Sequence, residues 1–155
     1  MKELSEEEAL NKSMILCSRS EHCTTEITTK LIRWGISDPT IQERIIEKLK
    51  EEGFIDDKRF CRAYVFDKFK FNHWGRAKIS YMLKMKGLPE IAITQALEVI
   101  KDDDARQEAL RLLTTKYNKL HYENSYEAYA KLMRYAYSRG IETDIAAEII
   151  SQLVK

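Results

Sequence analysis

Apolar residues recur every three or four positions along nearly the whole chain, and the pattern resets three times. Each reset is a glycine that closes one helix just before another begins. The three stand in Ile32-Arg33-Trp34-Gly35-Ile36, Lys84-Met85-Lys86-Gly87-Leu88 and Tyr137-Ser138-Arg139-Gly140-Ile141, 52 and then 53 positions apart. Basic residues crowd the last turn before each glycine and an aliphatic residue follows it. A helix C-terminus has these needs: a residue that accepts the left-handed conformation, and cations against the negative dipole end.

Upstream of each glycine lies an amphipathic helix. Ile27 and Leu31, Ile79 and Leu83, and Leu132 and Ala136 hold the offsets minus eight and minus four, which places each pair on one face. Downstream, the stripes Ile41–Ile45–Leu49, Ile93–Leu97–Ile100 and Ile145–Ile149–Leu153 predict a second helix. Asp38-Pro39 reads as N-cap plus first-turn proline, and Pro89 takes the same first-turn position. A further helix opens each copy. The first starts at the capping-box sequence Ser5-Glu6-Glu7-Glu8 and carries the apolar Ala9, Leu10 and Ile15. The second starts near Asp56-Asp57 with Phe60, Ala63, Tyr64 and Phe69, and the third near Asp102-Asp103-Asp104 with Ala105, Ala109, Leu112 and Leu113. Asn124-Ser125-Tyr126-Glu127 predicts a capping box for the middle helix of the third copy. The expected fold is all-α, with three tandem three-helix repeats at 1–55, 56–101 and 102–155. A lone unit of this size is marginal, so the repeats are expected to stack and share surfaces. The second opening helix, apolar on two sides through Phe60 and Tyr64 on one and Val65 and Phe69 on the other, fits such stacking.

Composition agrees: 5 Gly and 2 Pro in 155 residues, with 44% hydrophobic, favour a helical core over a turn-rich β fold. The 3 cysteines, Cys17, Cys23 and Cys61, form no C-x-x-C pair and read as free thiols of a reducing compartment. The acidic, polar start MKELSEEEALNK is unlike a signal peptide, and no apolar run reaches the ~20 residues of a membrane helix. A cytoplasmic protein with no membrane partner is expected.

Catalytic signatures are missing. No phosphate-binding glycine loop, nucleophile elbow or zinc-protease helix motif occurs. His22, His73 and His121 are scattered, so neither metal nor cofactor is expected. Charge carries more information than any motif. The net charge is +1, yet residues 58–86 hold Lys58, Arg59, Arg62, Lys68, Lys70, Arg76, Lys78, Lys84 and Lys86 against the single acid Asp67. Phe66, Phe69, Phe71, Trp74 and Tyr81 interleave them. Such a segment suits nucleic acid or an acidic protein groove. Trp74, before Gly75 at a helix entry, is expected to pack beneath the turn, and Trp34 and Phe71 to join the core. The tyrosines of the third copy (Tyr122, Tyr126, Tyr129, Tyr135, Tyr137) are read first as helix packing, with a partner-facing aromatic patch as the alternative.

Three blocks resemble the RecX family of recombinase regulators. The first is Leu16-Cys17-Ser18-Arg19-Ser20-Glu21-His22 with Glu26-Ile27 and Lys30-Leu31. The second is Gly53-Phe54-Ile55-Asp56-Asp57-Lys58-Arg59-Phe60 with Ala63. The third is Trp74-Gly75-Arg76 with Ile79, Leu83 and Lys86-Gly87-Leu88-Pro89. Lys131-Leu132-Met133-Arg134 and Arg139-Gly140-Ile141 continue the order, so the resemblance spans most of residues 9–153. Cys23 and Cys61 stand where members often carry serine or alanine, and third-copy tyrosines replace some aliphatic positions.

The resemblance implies three tandem three-helix repeats, binding in the groove of RecA filaments on single-stranded DNA, and modulation, usually inhibition, of strand exchange, ATP hydrolysis and coprotease activity. It implies no enzymatic activity of its own. The expected body is an elongated, curved monomer whose basic middle copy meets DNA phosphates or acidic recombinase surface. Lys68, Lys70, Arg76, Lys78 and Lys84 are the expected contacts, Arg76 having a rival role as an ion-pair partner within the repeat. The alternative is a direct DNA-binding protein with tandem helix-turn-helix-like units.

Overall fold

Helix-favouring patterns separated by glycine turns give helices and nothing else along the described residues, 3–155 of this computed structural model. In chain order they are α1 (Glu6–Arg19), α2 (Thr24–Arg33), α3 (Pro39–Glu51), α4 (Asp57–Lys70), α5 (Arg76–Met85), α6 (Glu90–Leu97), α7 (Asp102–Asn118), α8 (Ser125–Arg139) and α9 (Thr143–Leu153). They group as three successive helix triplets.

The glycine template is the same each time. Gly35, Gly87 and Gly140 have φ of 91°, 81° and 78°, where a side chain would be strained. The N–H of the following residue reaches the carbonyl five back (Ile36 to Leu31, Leu88 to Leu83, Ile141 to Ala136), and the glycine N–H reaches the carbonyl three back. This double bond pattern is the Schellman motif. A fourth instance ends α3 at Gly53, φ 77°, with Phe54 N–H bonded to Leu49 O.

Helix starts follow the chemistry of their caps. Ser5 and Glu8 form the reciprocal box, each accepting the other's backbone N–H. Asp38 accepts from Thr40 N–H ahead of Pro39. Asp56 caps α4 by accepting from Arg59 N–H, while Asp57 turns to accept from Thr24. Two starts differ from expectation. Pro89 stands one residue before α6, where its carbonyl accepts from Ile93 N–H. Asn124 caps Glu127 N–H, but the Glu127 carboxylate reaches back to Glu123 N–H instead of closing the box.

The helices form two compact units, residues 1–63 with 83–93, and 64–82 with 94–155. The division passes through α4, α5 and α6. In the first unit α1 and α2 pack on α3 around Ile27, Leu31, Ile45, Leu49 and Ile55. In the second, α7, α8 and α9 pack together around Leu113, Leu132, Ile145, Ala146 and Ile150. Each such side chain contributes about 1.5–3 kcal/mol by leaving water. Ile15 is exposed, and α1 buries Ser13 beside the expected Ala9. Phe71 is exposed too, whereas Trp34 joins the first core.

One contact recurs within each unit. The glycine turn ending one repeat's middle helix sits on the start of the preceding repeat's middle helix. In the first unit Thr25 Oγ1 donates to Lys86 O and Lys86 Nζ pairs with Glu26 at 2.8 Å. In the second, Gly75 N–H bonds Arg139 O at 2.7 Å and Ala77 N–H bonds Gly140 O at 3.1 Å. A second bond accompanies each contact. The first residue of the middle helix holds the first acid of the next opening helix: Thr24 to Asp57, and Arg76 to Asp102.

Candidate nucleic-acid interface

The C-terminal half of α4, the turn 71–75 and the start of α5 bring the basic and aromatic residues together. Tyr64 and Lys68 are four apart, so they share a face of α4. The turn after α4 carries Trp74 back to that face, anchored by Trp74 N–H to Lys68 O at 3.0 Å. The Tyr64 and Trp74 rings meet edge to face, with centroids 6.4 Å apart. Lys68 Nζ lies 5.3 Å from the Tyr64 centroid and 4.9 Å from that of Trp74. Lys78, on the first turn of α5, places its Nζ 4.4 Å from the same indole and donates to Ser138 O at 3.2 Å. Trp74 therefore packs beneath the turn, as expected, and also serves as a platform for two cations.

The two ammonium groups stand no more than about 9 Å apart, within a Debye length at physiological salt. Each is favoured by the ring quadrupole by about 0.5–2 kcal/mol, and they repel by about 0.5 kcal/mol at the dielectric of water. An anion beside either ammonium offsets part of that repulsion. The arrangement is thus suited to a phosphate or a carboxylate beside a flat ring.

The remaining expected contacts lie elsewhere. Lys70 extends over Phe66 and Phe71, with Nζ 5.1 and 5.9 Å from their centroids. Lys84 is exposed near the end of α5, in the first unit. Arg76 is committed within the fold: Nε donates to Glu142 at 2.6 Å and a terminal nitrogen to Asp102 at 2.9 Å, with 19% of the side chain exposed. Its rival role as an ion-pair partner is what the geometry displays, although both partners belong to the third repeat and not to its own. Burial opposes the Arg76 charge, and the two carboxylates overcome it, holding its pKa above the ordinary value.

The basic segment therefore divides its charge. Arg59 pairs with Glu21 at 2.7 Å, Arg76 with Asp102 and Glu142, and Lys86 with Glu26. All four carboxylates come from outside residues 58–86. Part of the asymmetry read in the sequence is glue between helices, and the outward cations are fewer than the count suggests.

Three participants carried no clear sequence signal. Tyr64 read as core is half a platform. Arg139 supports the turn by donating to the Asn72 and His73 carbonyls. His73 takes φ 57°, and its ring meets Glu108 at 2.8 Å. Arg111 also holds Glu108, at 2.6 Å, and is the main cause of the lowered Glu108 pKa, against burial and with help from His73. Third-repeat tyrosines face outward more than packing required: Tyr126 and Tyr137 are each 85% exposed, and Tyr117 stacks on Tyr122. Among the described residues no group of three His, Cys, Asp or Glu side chains gathers as a metal would need, and no helix is long and apolar enough to cross a membrane.

Comparison with known proteins points to one family. The family model for the second three-helix domain of RecX matches residues 56–97. The regulatory protein RecX of Clostridium perfringens strain 13 is 30% identical over 145 residues, covering 92% of this chain and 67% of the relative. That of Chlorobium phaeobacteroides strain BS1 is 27% identical over 155 residues, covering 100% and 99%. The crystal structure of RecX from Lactobacillus salivarius superposes with a TM-score of 0.82 at 22% identity, covering 96% of each chain. A second crystal structure of a regulatory protein RecX gives 0.85 at 20% identity, over 95% of this chain and 73% of the other. The fold is shared with both crystal structures, and with a 30% identical relative aligned over most of both lengths, this chain belongs to the RecX family of regulatory proteins.

Proposed function

We propose that this protein is a cytoplasmic regulator that binds RecA filaments on single-stranded DNA and inhibits strand exchange, ATP hydrolysis and coprotease activity. It acts as a monomer by obstruction and by shifting the recombinase's conformation, with no chemistry of its own. Its three repeats are taken as the units 1–55, 56–101 and 102–155. Membership of a family of regulators supports the reading. The observation that carries it is the pair of ammonium groups, Lys68 and Lys78, on the Trp74 ring. An aromatic ring and a pair of cations together suit the bases and phosphates of a single strand. Lys70 and Lys84 add exposed charge, and Arg76 holds the scaffold beneath.

The test is RecA-catalysed ATP hydrolysis on single-stranded DNA, titrated with wild type and with the Lys68→Glu/Lys78→Glu variant. Hydrolysis should fall with wild type and fall far less with the variant. Unchanged hydrolysis and unchanged filament length with wild type would sink the reading. Tight binding to a defined duplex without recombinase, with a steep salt slope, would favour the direct DNA reader instead.

A further inference from the structure

Beyond Tyr64, α4 shows two faces to its surroundings. Phe66 and Lys70 each lie two residues from the Tyr64–Lys68 face, about 200° round the helix. They border a groove of about 400 Å³ beside the α6–α7 link, floored by Val65, Phe69 and Ile100. Its walls are open: Phe66 is 52% exposed and Val99 59%, and Phe71, 66% exposed, meets Phe66 edge to face. Contiguous apolar exposure of this kind marks an interaction surface.

The rim of the groove is charged with opposite signs. Lys70 stands on one side, Asp104 and Glu108 on the other. Glu108 is already held by Arg111 and His73, whereas Asp104 is exposed on the first turn of α7. A phosphodiester would find only the Lys70 ammonium here, facing an apolar floor and the exposed Asp104 carboxylate. A protein side chain would meet a matching floor.

We infer that this groove docks a protein segment carrying a large aliphatic or aromatic side chain beside a basic residue, the apolar group on Phe66 and Val99 and the cation on Asp104. The inference rests on the proposed filament reading and sharpens it: the Lys68–Trp74–Lys78 face takes nucleic acid, and the groove takes the recombinase itself. One helix then presents one face to each component of the filament.

Two variants of the full chain test this, Phe66→Ser/Val99→Ser on the walls and Asp104→Lys on the rim. Affinity is measured for a labelled single-stranded oligonucleotide alone and for RecA filaments formed on the same strand. Both variants should lose about tenfold or more for the filament, the scale of an interface anchor, while keeping oligonucleotide affinity within about twofold. Filament affinity equal to wild type in both variants would overturn the groove assignment alone. Equal losses for filament and bare strand would also overturn it, since the groove would then be serving DNA. Wild type that fails to bind filaments would remove the functional reading and this inference together. If the wall variant melts early by circular dichroism, Asp104→Lys decides by itself.

Discussion

The Cβ that Gly75 lacks would lie 2.2 Å from the carbonyl oxygen of Gly140. The start of α5 and the end of α8 approach this closely because Gly75 N–H and Ala77 N–H bond the last carbonyls of α8 directly. Gly75→Ala should therefore destabilise by about 1–3 kcal/mol, the range for overpacking. At about 2–4 °C per kcal/mol for a chain of this length, thermal unfolding by circular dichroism reads it easily. Gly53→Ala is the control. Nothing stands within 4 Å of its Cβ, so only the left-handed backbone opposes it, at about 1–2 kcal/mol. Equal stability of Gly75→Ala and wild type would show that the crossing has room to yield.

Arg76 and Lys84 should separate cleanly. Arg76→Ala leaves Glu142 and Asp102 without their partner, and the solvent around Asp102 softens the loss, so about 1–2 kcal/mol is expected. Lys84→Ala, on an exposed face, should change stability by less than about 0.5 kcal/mol. Urea midpoints of the two variants check the difference. A neutral Arg76→Ala would argue that the guanidinium is held for a partner outside the chain.

Trp74 should report occupancy of the basic patch. Its emission should shift when a single-stranded oligonucleotide is added at low salt, and the shift should disappear in Trp74→Phe. Trp34 lies in the first core and should stay silent. Raising salt should reverse the shift, with a slope of about 0.7 per phosphate contacted on a single strand. A signal that survives in Trp74→Phe would move the contact elsewhere.

Acid should weaken the second unit through Glu108. Its carboxyl is held below the ordinary 4.5 chiefly by Arg111. A group whose folded pKa is depressed stabilises the fold above its unfolded value and loses that contribution as pH falls through the folded one. Stability should be level near neutrality and decline below about pH 4.5. Asp102, lowered by Arg106 and then Arg76, adds to the same trend. Glu108→Gln should be less stable at pH 7 and show a shallower acid limb in denaturant midpoints. A wild-type acid limb retained in full by that variant would assign the effect to other carboxylates.

The fold was legible wherever a local rule fixes a residue. Gly35, Gly87 and Gly140 need positive φ, Asp38 caps, and Ile27, Leu31, Ile45, Leu49, Ile145 and Ile149 bury as their spacing requires. The misplaced residues are those where tertiary contact decides. Ile15 and Ser13 are two apart, and only the packing of α1 on α3 says which faces inward. Charge misled in a similar way. Arg59, Arg76 and Lys86 look like neighbours of Lys68 in sequence, but their partners Glu21, Glu142 and Glu26 lie tens of residues away. The Lys68–Trp74–Lys78 cluster was half visible as basic residues among aromatics. Its geometry depends on the turn at His73, whose φ of 57° no periodicity announces.

Lys78 serves the Trp74 patch and the α5–α8 crossing with a single ammonium group. An anion that draws the ammonium aside breaks its bond to the Ser138 carbonyl, while the Gly75 and Ala77 bonds to α8 remain. Occupancy of the patch is then felt at the crossing as a loss of stiffness with little change of form. Amide exchange at the end of α8 would register a ligand that a static comparison of bound and free chains would miss.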